Sequence, residues 1–299
     1  MGQTNKDILA YLSFIKNGEW DEIFKVIRNK ESINTGEIED TINRITTDFI
    51  TLVDDNYPIS FKRKLNKPPF VLFYKGDLSL IYNRNKKRLS VVGSRNATNY
   101  GCDAIRKIIS ELPKDYVIIS GLATGIDAAA HQAALDNGLK TIAILGSGID
   151  YIYPSKNKEL YNNIIKNGGL IISEYPNSTI PKRDNFVFRN RIVAGLGNFL
   201  LVGEAYERSG TSTTINYAIE CGNNVGCIPY PITYGSMCNK YIKEGAYLIE
   251  NAHDIEEIML DEGVSYWWNQ LKDIFIKLNF LMLTWIISKV LFVMMIIFI

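Results

Sequence analysis

YVIISGLATGIDAAAH, residues 116–131, is the stretch on which the fold turns. Tyr116 to Ser120 is apolar at almost every position, is too short for a globular helix and stops at Gly121. A strand that is apolar on both faces is buried on both, which is the mark of a parallel sheet. Gly121 to Gly125 makes a turn, and the alanine-rich run after it reads as a helix. The same unit recurs. Leu89–Val92 runs into Gly93-Ser94-Arg95 and then a helix from Tyr100 to Leu112. Thr141–Leu145 runs into Gly146-Ser147-Gly148, and Gly169–Ser173 precedes Glu174. Phe199–Val202 runs into Gly203-Glu204-Ala205, and Asn224–Ile228 precedes Pro229. Buried strands alternating with helices predict an α/β fold of the doubly wound, mostly parallel kind. In that class the strand-to-helix loops gather along one edge of the sheet, where ligands bind. The glycine-rich loops are therefore expected on a single rim.

Outside this region the pattern changes. In residues 1–55, Ile8, Leu9, Leu12, Ile15, Ile23, Phe24 and Ile27 recur at helical spacing, so a small helical N-terminal unit is expected. Asp55–Asp77 contains a Pro-Pro pair and then Phe70–Tyr74, and reads as a linker feeding a strand. The predicted boundaries are 1–55, 56–260 for the α/β domain, and 261–299 for a hydrophobic tail.

The chain has 299 residues, 46% of them hydrophobic, enough for a large core. Its net charge of +1 provides no whole-molecule field for a polyanion, so any nucleic-acid site must be a local patch. Two patches are visible. Lys62–Arg88 is rich in lysine and arginine, and reads by default as solvated surface. Pro181–Gly197, PKRDNFVFRNRIVAGLG, sets Lys182, Arg183, Arg189 and Arg191 around Phe186 and Phe188, with Asn190 between two arginines. Cations for phosphates beside aromatic faces for bases are what a single-strand groove needs. Phe188 is the aromatic expected in the core.

Other motifs are weaker. Gly93, Ser94 and Arg95 follow a strand and offer backbone N–H groups, a hydroxyl and a guanidinium fork to an anion. Ser209-Gly210-Thr211-Ser212-Thr213-Thr214 opens a helix, and reads either as an anion seat or as a multiply capped helix start. Asp127 and His131 share a helix face and are expected to form a structural bond rather than a catalytic pair. No P-loop or dinucleotide fingerprint is present. The four cysteines, Cys102, Cys221, Cys227 and Cys238, and two histidines do not have metal-ligand spacing, so neither a metal nor a cofactor is expected. The N-terminus has no basic segment followed by an apolar run, which predicts a reduced, cytoplasmic setting.

Taken in order, Gly93-Ser94-Arg95, SGLATGIDAAAH, YPSKN, SEYP, FVFRNRIVAGL, GEAYERSGTSTT and EGA (Glu244–Ala246) resemble the DNA-processing protein A family (DprA/Smf) over Asp55–Glu257. The resemblance implies an extended Rossmann-like domain, without catalysis. It implies binding of single-stranded DNA, protection of incoming DNA in natural transformation, assistance to RecA recombinase loading, and a homodimer. Carried over by position, it places the DNA pocket on Arg95, Arg183, Phe186, Arg189, Asn190, Arg191, Ser209 and Gly210, beside the anion-binding reading of Gly93 and Ser94, with Lys158 as a further, weaker candidate. Asp127 and His131 remain structural. The chain departs from the family pattern at Gly197, usually Ser, at Gly203, usually Val, and at Tyr230, usually Gly. SMCNKYIKEGA lacks the usual Gly before its Asn. These departures lie in the half of the sheet where the family makes its dimer.

Two rivals use the same fold. One is a nucleotide-processing enzyme like the phosphoribohydrolases, whose PGG-x-GT-x-x-E signature is missing here. The other is a membrane-tethered sensor of a nucleotide-like signal. The tether would be Phe280–Ile299, which holds one charge, Lys289. At about 1.5 Å per residue such a segment matches the roughly 30 Å apolar layer of a bilayer. The lysine costs about 2.5–3.5 kcal/mol on insertion, less than the apolar residues return. The sequence leaves open whether this tail is an anchor or the product of a reading-frame slip.

Overall fold

Val117, Ile118 and Ile119 are completely buried, as are Ile142, Ile144, Ile171, Ile172, Phe199 and Leu201. These are the strands that read as apolar throughout, and each is covered on both faces. The computed structural model of the chain describes residues 4–207 and 209–260. Three helices come first, α1 (Asn5–Ile15), α2 (Trp20–Asn29) and α3 (Ile38–Asn43). Strand β1 (Asp48–Thr51), helix α4 (Ile59–Lys64) and strand β2 (Val71–Gly76) follow. Strands and helices then alternate: β3 (Lys87–Gly93), α5 (Asn99–Glu111), β4 (Tyr116–Ser120), α6 (Ile126–Asp136), β5 (Lys140–Leu145), α7 (Lys158–Lys166) and β6 (Leu170–Ser173). The second half holds α8 (Arg183–Leu196), β7 (Phe199–Glu204), α9 (Gly210–Glu220), β8 (Asn224–Cys227), α10 (Cys238–Lys243) and β9 (Tyr247–Leu248).

The strands form one sheet in the order β1-β2-β6-β5-β4-β3-β7-β8-β9. Every pairing from β6 to β9 is parallel, and β1 and β2 add antiparallel strands at one edge. The fold is thus the expected doubly wound α/β sheet. The order runs downward from β6 to β3 and then turns upward at β7. That reversal is a topological switch point, where neighbouring loops diverge and leave a crevice. The helices pack in two groups, α5 with α6 and α7, and α4 with α8 and α9, against the central strands.

The N-terminal segment is not helical throughout. Asp48–Thr51 pairs with β2 as the outermost strand, with Ile50 buried and the Asp54 carboxylate accepting from the Thr51 N–H at 2.7 Å. Four residues are too few for a period to register, so only pairing with β2 makes this segment a strand. The helices share the sheet's core: Leu9, Leu12, Ile23 and Ile38 cluster with Phe73, Leu122 and Ile171. Trp20 stacks against Phe24 and Phe70, each at 5.0 Å, and donates its indole N–H to Pro68 O at 2.8 Å. The described residues up to Ala252 make one compact unit, and a second begins at His253. Among the described residues no helix is long and apolar enough to cross a membrane. The expected tail and anchor at Phe280–Ile299 lie outside the described residues.

Asp127 and His131 do not bond to each other. Asp127 accepts from the N–H groups of Gly121 and Ala123 at 3.1 and 3.3 Å, bracing the turn between β4 and α6. His131 is fully buried, with Nδ1 2.6 Å from the Thr141 hydroxyl, which itself donates to Ile118 O at 2.8 Å. The hydroxyl's proton is spent, so Nδ1–H is the donor to Thr141. Burial, reinforced by the nearby Arg189 charge, lowers the His131 pKa to about 3. The unfolded chain then binds a proton below about pH 6.5 that the folded chain refuses, so stability falls as pH drops from 6.5 toward 3. Urea unfolding at pH 7 and pH 5 should show about 2 kcal/mol of loss from this group, and His131→Gln should remove most of that difference.

Candidate nucleic-acid interface

A cavity of about 770 Å³ opens at the switch point. Four loops and two helix starts build it. The β3–α5 loop contributes Gly93, Ser94, Arg95 and Asn96, and the β4–α6 segment contributes Ala123 and Asp127. Tyr153 comes from the β5–α7 loop. The first turns of α8 bring Arg183, Phe186, Arg189 and Asn190, and the β7–α9 turn brings Glu207, Ser209 and Gly210.

The β3–α5 loop is held firmly. Glu204, buried at the end of β7, accepts the Ser94 N–H on its backbone carbonyl at 2.8 Å. Its carboxylate accepts from the Thr98 N–H and hydroxyl at 3.0 and 2.6 Å. Thr98 in turn caps α5 through the Gly101 N–H. Arg95 O accepts from the Thr124 hydroxyl at 2.7 Å. The loop is therefore fixed on both sides of Arg95 while the Arg95 side chain stays exposed. The Tyr230 hydroxyl lies 2.8 Å from Gly203 O and 2.9 Å from Glu204 Oε2. Tyr230 thus adds a brace behind the same loop. Gly197 sits where a Cβ would strike the Ser90 hydroxyl, 2.2 Å away.

Helix α8 supplies the rest, and its arginines divide into two kinds. Arg183, in the first turn, is exposed. Arg189 and Arg191 are each 3% exposed. Arg189 lies along the sheet's edge, donating to Ile144 O. It occupies the space a side chain at Gly121 would need: a Cβ there would lie 2.2 Å from its guanidinium. Burial lowers its pKa to about 10, partly offset by Asp127, so it keeps its charge at neutral pH. Asp127 is pushed up by burial and held back by Arg189 and its backbone donors. Arg191 donates to Glu174 at 2.5 Å and to Lys67 O at 2.8 Å, and stacks on Phe188 at 3.7 Å. Burial raises the Glu174 pKa, and Arg191 opposes the shift.

Phe186 half-fills the mouth. Its ring lies against Gly146, where a Cβ would come within 2.7 Å of it. The Arg95 guanidinium sits over the ring at 5.4 Å, and Tyr153 meets it at 5.4 Å and 38°. Opposite, α9 begins at Gly210 with Ser209 as an N-cap that makes no side-chain capping bond. The Ser209 hydroxyl is buried and unpaired among the described residues. Asn190 Nδ2 reaches Gly210 O at 3.4 Å. Helix α8 also begins without a side-chain cap, at Lys182. Two helix starts with free N–H groups therefore border the cavity, and such ends favour anions.

Of the residues singled out from sequence, Gly93, Ser94, Arg95, Arg183, Phe186, Arg189, Asn190, Ser209 and Gly210 line the cavity. Lys158 and Arg191 do not. Lys158 is exposed at the start of α7, beyond the rim, and Arg191 is sealed beneath α8 by Glu174. Phe188 is half-buried under Arg191 rather than part of the main apolar cluster. The Lys62–Arg88 patch disperses into local contacts. Lys64 bonds Asn223, Lys67 pairs with Asp21, Lys87 faces Asp115, and Arg88 donates to Leu196 O. Sequence reading missed Tyr153, Asn96 and Glu207 in the lining. Tyr153 carried a signal, an aromatic in a strand-to-helix loop of the same rim.

The family model for DNA recombination-mediator protein A matches residues 48–259. The DNA processing protein DprA of Streptococcus pneumoniae is 42% identical over 207 residues, covering 69% of this chain and 72% of that protein. An X-ray structure of the S. pneumoniae protein superposes with a TM-score of 0.68 at 35% identity, covering 86% of this chain and 93% of that one. A structure of Helicobacter pylori DNA processing protein A, solved for its single-stranded DNA binding mode, superposes at 0.64 with 28% identity, covering 73% and 98%.

The division among the α8 arginines has a measurable consequence. Glu174→Ala strands a buried guanidinium and should cost about 3–5 kcal/mol in urea unfolding. Arg183→Ala, at an exposed position, should leave the unfolding midpoint where it is.

Proposed function

This chain belongs to the DNA recombination-mediator protein A family, and from that footing we propose that it binds single-stranded DNA in the switch-point cavity without reading sequence. The observation that carries the proposal is the convergence of Arg95, Arg183 and two uncapped helix starts around the Phe186 ring. Among the described residues neither Arg95 nor Arg183 is ion-paired, so both are available to phosphates. Arg189 adds a buried positive charge to the wall and Asn190 a polar edge. Gly93 and Gly210 keep the backbone open beside the same anion, to which the Ser94 hydroxyl and the N–H groups that follow Ser209 at the start of α9 are offered. Arg191 serves by fixing α8, and Lys158 has no place in this reading.

The action is binding rather than catalysis. Asp127 and His131 are committed to bonds that hold the turn and the sheet. In the setting the family name implies, the protein protects single strands and assists the RecA recombinase during recombination and natural transformation. It works as a homodimer. The edge of the sheet supports that last point: among the described residues β9 is the terminal strand, with Tyr247 and Leu248 44% and 46% exposed. An apolar edge strand of this kind is a template for pairing with a second copy.

Binding of a polythymidine oligomer should weaken with salt by about 0.7 decade per decade for each phosphate neutralised. Arg95→Ala and Arg183→Ala should each lower affinity and flatten that slope by about 0.7. Phe186→Ala should cost about 1–3 kcal/mol at unchanged slope. Parent-like binding by the triple variant would place the site elsewhere. In sedimentation, Leu248→Lys should shift a dimer toward monomer without loss of helical signal.

A further inference from the structure

The ring in this cavity most open to a base is not that of Phe186. Phe186 is half-buried, with its edge against Gly146, the Arg95 guanidinium over it and Tyr153 at 5.4 Å. Tyr153 is 46% exposed, lines the same cavity and leans on Phe186 at 38°. A base between the two rings would need a centroid separation nearer 7 Å, so at 5.4 Å they already touch. An incoming base then meets the outer side of the pair.

The loop that carries Tyr153 is pinned at both ends. Tyr151 N donates to Gly148 O at 2.9 Å, and Tyr151 O accepts from the Ser147 hydroxyl at 2.9 Å. Downstream, the Asn157 amide donates to Leu122 O and Ala123 O at 2.9 and 3.2 Å. An aromatic left this exposed on a loop this fixed adds little to the core. It is ordered before any ligand arrives, which lowers the entropy that binding must spend.

We propose that Tyr153 is the principal stacking platform for a nucleobase of single-stranded DNA, with Phe186 as the ring that backs it. The inference rests on the reading of the cavity as a DNA site. It assigns the base to the β5–α7 loop wall, while Arg95 and Arg183 hold the neighbouring phosphates. Arg95 is then drawn off the Phe186 ring toward the backbone of the strand.

The test measures polythymidine binding by the full chain at several salt concentrations. Tyr153→Ala should weaken binding about 5- to 150-fold with the salt slope unchanged. Tyr153→Phe should bind like the parent, because the ring and not the hydroxyl is used. Tyr153→Leu keeps apolar packing on Phe186 but has no π face. It should fail as Tyr153→Ala does, and it decides the matter if the alanine variant is misfolded. An oligomer carrying 5-iododeoxyuridine should photocrosslink to the peptide containing Tyr153. Parent-like binding by Tyr153→Leu, or crosslinks confined to the Phe186 peptide, would overturn the assignment while leaving DNA binding intact. Absence of oligomer binding by the parent itself at low salt would instead sink the DNA reading.

Discussion

Helix α8 is held to the sheet by two buried guanidinium groups, and the site depends on that hold. Arg189 reaches the sheet's edge at Ile144 O beside Asp127, and Arg191 closes on Glu174 after β6. A buried charge is costly unless its hydrogen-bond capacity is met. Arg191 meets that cost with Glu174, Lys67 O and the Phe188 ring, whereas Arg189 has Ile144 O and the nearby Asp127 charge while its Nε has no partner among the described residues; both sets of contacts limit how α8 can lie. With α8 fixed, Arg183 and Phe186 in its first turns project at one position over the switch point. The groups that face solvent are placed by groups that never meet it.

The glycine-rich rim takes its meaning from the same constraint. Gly121 lies where the Arg189 guanidinium passes, and Gly146 where the Phe186 ring rests. A methyl at either would collide with the functional helix, so these glycines are absences shaped to fit α8. Ser94 and Arg95, by contrast, sit on a loop clamped by Glu204 and Thr124. One wall is thus built by close packing and the other by hydrogen bonds. The crevice between them exists because the strand order reverses at β3 and β7.

The same geometry ranks the basic residues. Pro181–Gly197 reads as one cationic run, yet Arg183 stands in the exposed first turn of α8 while Arg189 and Arg191, on opposite sides of the helix, are both buried where its second half is covered all round. The Lys62–Arg88 run breaks up because α4, the β2–β3 connection and the start of β3 face different neighbours. Charge density along a sequence overestimates a binding surface whenever the backbone turns between charges.

Much of this was legible from residues alone. Short all-apolar strands can exist only where both faces are covered, so Tyr116–Ser120 and its counterparts announced a parallel sheet with a ligand-bearing rim. The ordered motifs named the family. Less local features stayed hidden. Strand β1 is too short to show a period, and pairing with β2 alone creates it. Asp127 and His131 share a helix face, but Asp127 turns back to Gly121 and His131 down to Thr141. Tyr153, an aromatic in a rim loop, and Lys158 stand near one another in the same segment, and only the fold puts the first in the cavity and the second outside it. The residue types and their order determined which side chains were available. Tertiary structure alone decided which of them are spent on holding α8 and which are left free, because burial and partner geometry are set by residues distant in the chain.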